Sequence, residues 1–200
     1  MKLRGLYAVT PDGVDSAQLI EKVRRALEGG IALLQYRRKL IPRETRRKEA
    51  SELAQLARAH NVPFIVNDDI ELALAVGADG VHLGRDDPDV ASARKRLPGR
   101  IVGASAYNDT DIARKAVRAG ADYVAFGSVF PSPTKPAAVR ASLLLFKNDF
   151  GVPLCGIGGI TLDNAPQVIE AGADMLAVIS DLFDAPDVAA RAREYGRLFS

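Results

Sequence analysis

Short, β-branched apolar runs alternate with amphipathic stretches along the whole chain. The runs Gly5–Thr10, Ala32–Tyr36, Pro63–Asn67, Gly80–Leu83, Ile101–Ala104, Tyr123–Gly127, Leu154–Gly158 and Leu176–Ser180 predict strands, because they are brief and bounded by turn residues. Between them, apolar residues recur at helical spacing, as in Ser16–Leu27, Glu44–Ala59, Asp109–Ala119 and Asn164–Ala171. Strict alternation argues for parallel strands joined by crossover helices, eight of each, in units of about 25 residues.

An internal echo sharpens the topology. Val76-Gly77-Ala78-Asp79-Gly80-Val81 resembles Ala119-Gly120-Ala121-Asp122-Tyr123-Val124 and Ala171-Gly172-Ala173-Asp174-Met175-Leu176. Glu28-Gly29-Gly30-Ile31-Ala32-Leu33 is a weaker fourth copy. Each glycine sits where a helix is expected to end in the left-handed region, ahead of the second, fourth, sixth and eighth strands. Eight units with a two-unit echo fit a single-domain (β/α)8 TIM barrel over residues 1–200, with lean loops. A doubly wound open sheet is the alternative.

In such a barrel the chemistry sits on the loops that leave the strands. The exits are chemically rich: Gln35-Tyr36-Arg37-Arg38-Lys39, Asn67-Asp68-Asp69, Gly84-Arg85-Asp86-Asp87, Ser105, Ser132-Pro133-Thr134-Lys135, Gly158-Gly159 and Ile179-Ser180-Asp181. The entrances read mostly Gly-Ala-Asp or X-Val-Pro. Cationic Arg37, Lys39 and Lys135 beside anionic Asp68 and Asp87 suit a polyphosphate bound with Mg²⁺, since carboxylates alone would repel phosphates. Pro131, Pro133 and Pro136 stiffen the segment that presents Ser132, Thr134 and Lys135. Gly158-Gly159, ahead of a helix at Thr161, offers a second anion seat.

Composition narrows the classes. A net charge of +2 does not call for a nucleic acid or a membrane surface. No apolar run reaches the ~18 residues of a membrane span, and Met1-Lys2-Leu3-Arg4-Gly5 leads straight into a strand, so a soluble cytoplasmic protein is expected. Cys155 is the sole cysteine and reads as a small buried hydrophobe. His82 reads as a packed layer residue within a strand, and His60 as a residue at a helix C-terminus. Residues 43–48 read as a solvated basic helix face, without the interleaved aromatics of a nucleic-acid surface. Asp69 reads as a helix cap and Asp68 as a metal ligand.

Seven stretches together resemble the thiamine phosphate synthase family: QYRRK (35–39), VNDDIELA (66–73), DGVHLGRDD (79–87), GAS (103–105), SVFPSPTKP (128–136), GIGGITLDNA (156–165) and LAVISDLF (176–183). The resemblance covers nearly the whole chain and implies a transferase of thiamine biosynthesis. In its reaction a hydroxymethylpyrimidine diphosphate loses pyrophosphate, and a thiazole phosphate nitrogen captures the pyrimidine methylene. By position, Gln35, Arg37, Lys39, Asn67 and Lys135 would hold the diphosphate substrate, and Asp68 and Asp87 would hold Mg²⁺. Ser105 would contact the pyrimidine or its diphosphate, while Ser132, Thr134, Gly159, Ile179 and Ser180 would seat the thiazole phosphate. Lys135, Arg37 and Ser105 are the implied catalytic set, acting by positioning and charge stabilisation without a strong base.

Three departures stand out. Ser132 replaces a more usual threonine, Asp181 places a carboxylate near the thiazole phosphate, and AAVRASLLLF (137–146) lacks the glycine expected ahead of a sixth helix. Two further classes stay open on the residues alone: a thiazole tautomerase-like isomerase of the same fold, and a non-catalytic phosphate-binding barrel. Nothing requires a partner protein, and a homo-oligomer is compatible with the sequence.

Overall fold

The apolar runs become the parallel strands of a closed barrel in sequential order: β1 (Gly5–Val9), β2 (Leu33–Tyr36), β3 (Phe64–Asn67), β4 (Gly80–Leu83), β5 (Ile101–Tyr107), β6 (Tyr123–Gly127), β7 (Leu154–Ile157) and β8 (Met175–Val178). The computed structural model describes residues 3–131 and 139–200. Among these, the helices are α1 (Ser16–Glu28), α2 (Arg43–Ala59), α3 (Ile70–Val76), α4 (Val90–Arg96), α5 (Thr110–Arg118), α6 (Ala165–Ala171), α7 (Ser180–Phe183) and α8 (Val188–Arg197). β1 closes the barrel by pairing with both β2 and β8.

The strand period of two sorts the side chains. Tyr7, Leu33, Ile65, Tyr123, Cys155 and Met175 fill the barrel interior. Their neighbours Leu6, Leu34, Phe64, Val81 and Val124 face the helices in the larger core. Gln35 lies two residues past Leu33, and Asn67 two past Ile65, so both keep the inward face nearer the C-terminal mouth. Register then aligns Val9 with Gln35, Asn67 with His82, and Ser105 with Ala125.

The echoed Gly-Ala-Asp units have a repeated task at the opposite face. Asp79, Asp122 and Asp174 each accept the backbone N–H of the neighbouring odd-numbered strand, at Phe64 (2.8 Å), Val102 (2.7 Å) and Leu154 (3.0 Å). Each aspartate's own N–H returns a bond to the same residue's carbonyl. Gly77, Gly120 and Gly172 are left-handed as expected, whereas in the fourth copy the left-handed residue is Gly30 rather than Gly29.

Three elements differ from the sequence reading. β5 runs to Tyr107 rather than Ala104, with a register shift between Ser105 and Tyr107, so Ser105 is a strand residue rather than a loop residue. Between β6 and β7 the described residues form a 3-10 turn, Leu143–Lys147, in place of a sixth crossover α-helix. Its i, i+3 spacing buries Phe146 while Leu144 stays exposed. β8 stops at Val178, and the chain after it forms two helices, α7 and α8.

Candidate active site

Two adjoining cavities open at the C-terminal ends of the strands. The larger, about 890 Å³, is lined in part by Gln35, Arg37, Asn67, Ser105, Gly159, Ile179 and Ser180. The smaller, about 490 Å³, takes in Lys39 and Asp68, and Asn67 stands in the wall of both. Ser132, Thr134 and Lys135 lie outside the described residues. The residues flanking that segment, Pro131 and Val139, line the larger cavity.

Asp68 and Asp87 meet although they leave different strands. Asp68 holds a left-handed backbone, φ 65°, which a non-glycine residue adopts only at a cost. Asp87 accepts the Gly84 N–H at 2.6 Å. Burial pushes the Asp87 carboxyl up, reinforced by its hydrogen bond with Asp68. Burial opposes ionisation of Asp68 too, but the bond from Asp87 and the Lys39 ammonium outweigh it, and its pKa is lowered. Of the two acids, Asp68 is therefore the more readily ionised. Two carboxyl groups brought together from separate strand exits are a fitting donor set for a hard divalent cation. Asp69 instead caps α3, accepting the Leu72 N–H at 2.9 Å.

The cations are braced by a residue outside the sequence-derived set. Asp12, on the loop after β1, pairs with Arg37 (Nη1 to Oδ2, 2.7 Å) and accepts the Lys39 backbone N–H at 2.9 Å. The Thr10 hydroxyl accepts the Arg37 N–H at 2.8 Å. Lys39 reaches Asp68 at 2.9 Å, but its side chain is 54% exposed, so the pair contributes under about 1 kcal/mol and Lys39 is free to exchange it for a phosphate. Beneath them, Arg38 and Glu49 form a buried ion pair at 3.3 Å, and Glu49 also accepts from Tyr36 and Ser16. This ties the loop after β2 to α2. Most of the basic face of α2 is solvated, but Arg46 turns to Asp69 at 3.4 Å and lines the smaller cavity.

The floor is polar and continuous. Gln35 donates to Tyr7 (2.6 Å), Tyr7 bonds Tyr123 (2.7 Å), Tyr123 bonds His82 Nδ1 (2.9 Å), and His82 Nε2 bonds Ser105 (2.9 Å). Gly103 makes room for this, since a Cβ there would lie 2.1 Å from Cζ of Tyr123. Burial lowers His82 to about 4, against a weaker opposing pull from Asp68, so the imidazole is neutral. Burial raises Cys155 to about 12 and keeps its thiol protonated.

The far wall is built around Gly159, left-handed at φ 63° and so close to the loop after β6 that a Cβ would sit 2.2 Å from the Pro131 carbonyl. Asn164 clamps the loop, accepting the Thr161 N–H and donating to the Gly159 carbonyl. α6 begins only at Ala165, so any anion seat here is the glycine loop itself and not a helix N-terminus at Thr161. Asp181 points its carboxylate at Arg191 (2.7 Å), which offsets its charge beside the cavity, and accepts a hydrogen bond from the Tyr195 hydroxyl (2.7 Å).

Comparison with known proteins places the chain in a family. The sequence model of a family described as "Thiamine monophosphate synthase" matches residues 6–182. The thiamine-phosphate synthase of Aromatoleum aromaticum is 58% identical over 99% of this chain and 97% of its own length. That of Chromobacterium violaceum is 54% identical over 96% and 94%. Among solved structures, the thiamine phosphate pyrophosphorylase of Pyrococcus furiosus superposes with a TM-score of 0.88 at 36% identity, covering 99% of this chain and 96% of that one. The chain belongs to the thiamine monophosphate synthase family.

Proposed function

We propose that the two cavities together hold a hydroxymethylpyrimidine diphosphate and a thiazole phosphate and join them into thiamine phosphate, releasing pyrophosphate. The observation that carries this reading is the convergence of Arg37, Lys39, Asn67 and Asp68 at the two cavities, with Asp87 hydrogen-bonded to Asp68, all from three adjacent strand exits. The diphosphate lies against Arg37, Lys39 and Asn67, and the family resemblance adds Lys135 to the groups that hold it. Arg37 and Lys39 exchange their carboxylate partners for phosphate oxygens, which are more highly charged. Asp68 and Asp87 hold Mg²⁺, which when bound neutralises part of the leaving group's charge.

Gln35 and Ser105 present hydrogen-bonding groups to the pyrimidine end from the floor. Gly159, Ile179 and Ser180 seat the thiazole phosphate on the far wall, and the family resemblance adds Ser132 and Thr134 to its ligands. The bond between the pyrimidine methylene and the diphosphate oxygen breaks with its electron pair leaving on oxygen. The thiazole nitrogen then supplies the pair for the new carbon–nitrogen bond. No proton has to be removed, which suits a site whose one cavity-lining imidazole among the described residues, His82, is neutral with both nitrogens engaged. An isomerase would need such a base.

A pyrophosphate-release assay tests this. Release and thiamine phosphate formation are expected only with both substrates and Mg²⁺ present, and EDTA abolishes them. Absence of turnover with all three supplied contradicts the reading.

A further inference from the structure

Under the cavity, five polar side chains from five strands form one line: Gln35 of β2, Tyr7 of β1, Tyr123 of β6, His82 of β4 and Ser105 of β5. Gln35, Tyr7, Tyr123 and His82 are all buried, and the His82 ring stacks on Tyr123 with centroids 5.6 Å apart. Buried hydroxyls must place every hydrogen, so the line's chemistry sets its direction.

The Gln35 amide nitrogen can only donate, so the Tyr7 oxygen accepts from it. Tyr7 carries one hydrogen, and the Tyr123 oxygen is its acceptor. The hydrogen of Tyr123 then passes to His82 Nδ1, which must be the bare nitrogen of the neutral ring. His82 therefore carries its hydrogen on Nε2 and donates to Ser105 Oγ. Among the described residues, the Ser105 hydroxyl hydrogen is left without a protein acceptor, and Ser105 lines the larger cavity.

We infer that His82 is a positioning residue: its Nε2–H tautomer, imposed from Gln35 through Tyr7 and Tyr123, holds Ser105 as a hydrogen-bond donor toward an acceptor atom of the bound pyrimidine diphosphate. The inference rests on the proposed reaction for its substrate and on the line of hydrogen bonds for its direction. Reversing the direction requires an acceptor where the Gln35 amide nitrogen stands, either its own carbonyl oxygen after a turn of the amide or a carboxylate, and then all four hydrogen bonds turn together. Ser105 would then spend its hydrogen on His82 and offer only oxygen to the cavity.

Two measurements test this, and the first does not depend on turnover. His60 and His82 are the only histidines, and His60 is exposed, so His60→Gln leaves a single imidazole in the ¹⁵N spectrum. The substrate-free protein is expected to show a protonated Nε2, with its one-bond N–H coupling, and a bare Nδ1. Gln35→Glu, which puts a carboxylate acceptor at the head of the line, is expected to move the proton to Nδ1. A wild-type ring protonated at Nδ1, or a tautomer indifferent to Gln35→Glu, overturns the inference even if the enzyme turns over as proposed.

The second measurement is a double-mutant cycle between Tyr123 and Ser105, whose side chains are linked through His82. Tyr123→Phe is expected to lower kcat roughly tenfold in the wild-type background, the scale of one hydrogen bond, with KM for the thiazole phosphate unchanged. In a Ser105→Ala background the same change is expected to have little effect. Additive losses overturn the positioning role. Wild-type protein without turnover contradicts the proposed reaction instead, and leaves the tautomer measurement to decide the direction of the line.

Discussion

Asp181 shows how a single residue's partners decide its meaning. A carboxylate two residues from Ile179 threatens a phosphate seat, yet Arg191 and Tyr195 hold it at 2.7 Å each. The ion pair draws the Arg191 guanidinium above its usual range, chiefly through the Asp181 hydrogen bond. Arg191→Met should release that charge toward the cavity. The expected outcome is a KM for the thiazole phosphate raised several-fold, about 1 kcal/mol of lost binding, with kcat little changed. Steady-state kinetics at low ionic strength checks it, and an unchanged KM removes Asp181 from the account. Nothing in the chain order linked residue 181 to residues 191 and 195 as partners, because that contact depends on α8 folding back beside α7. Asp12 escaped the sequence reading for a related reason. The exit of β1, Thr10-Pro11-Asp12-Gly13, is as polar as the others, but its service to Arg37 and Lys39 appears only when β1 and β2 lie side by side.

At the level of elements, the period-two and helical patterns placed every strand to within a few residues, and the glycine echo gave the two-unit repeat. What the pattern could not supply was strand length at the mouth. Ser105, Ala106 and Tyr107 look like the start of a loop, but β5 keeps its register through Ser105, two residues past Gly103 on the same face, and runs on to Tyr107 after a register shift. The sixth crossover failed as an α-helix prediction because its apolar residues, Leu143–Phe146, are consecutive and lack a polar face, and a tight 3-10 turn buries Phe146 there. The Gly-Ala-Asp echo, by contrast, has a purely structural reading. Asp174 ties β7 to β8 at the entrance face by accepting the Leu154 N–H. Asp174→Ala should destabilise folding by about 1 kcal/mol, since the backbone donor it leaves is only partly shielded from water, and should leave kcat and KM unaltered. Equilibrium urea unfolding alongside kinetics checks both halves, and a loss of activity without a loss of stability contradicts the division between faces.

Across the whole molecule, that division is the organising fact. The entrance face carries repeated Asp-to-backbone braces, and the exit face gathers charges that do not repeat: Arg37, Lys39, Asp68 and Asp87. The barrel's closure is what brings residues 37, 68 and 87, from three successive units, to one junction. The central claim is that Asp68 and Asp87 share a divalent cation there together with a diphosphate. Electron paramagnetic resonance titration of Mn²⁺, with pyrophosphate present, tests it most directly. Binding is expected to weaken at least tenfold in Asp68→Asn and in Asp87→Asn, each of which removes one anionic ligand. Mn²⁺ affinity unchanged in both variants, with both still folded, would contradict the account.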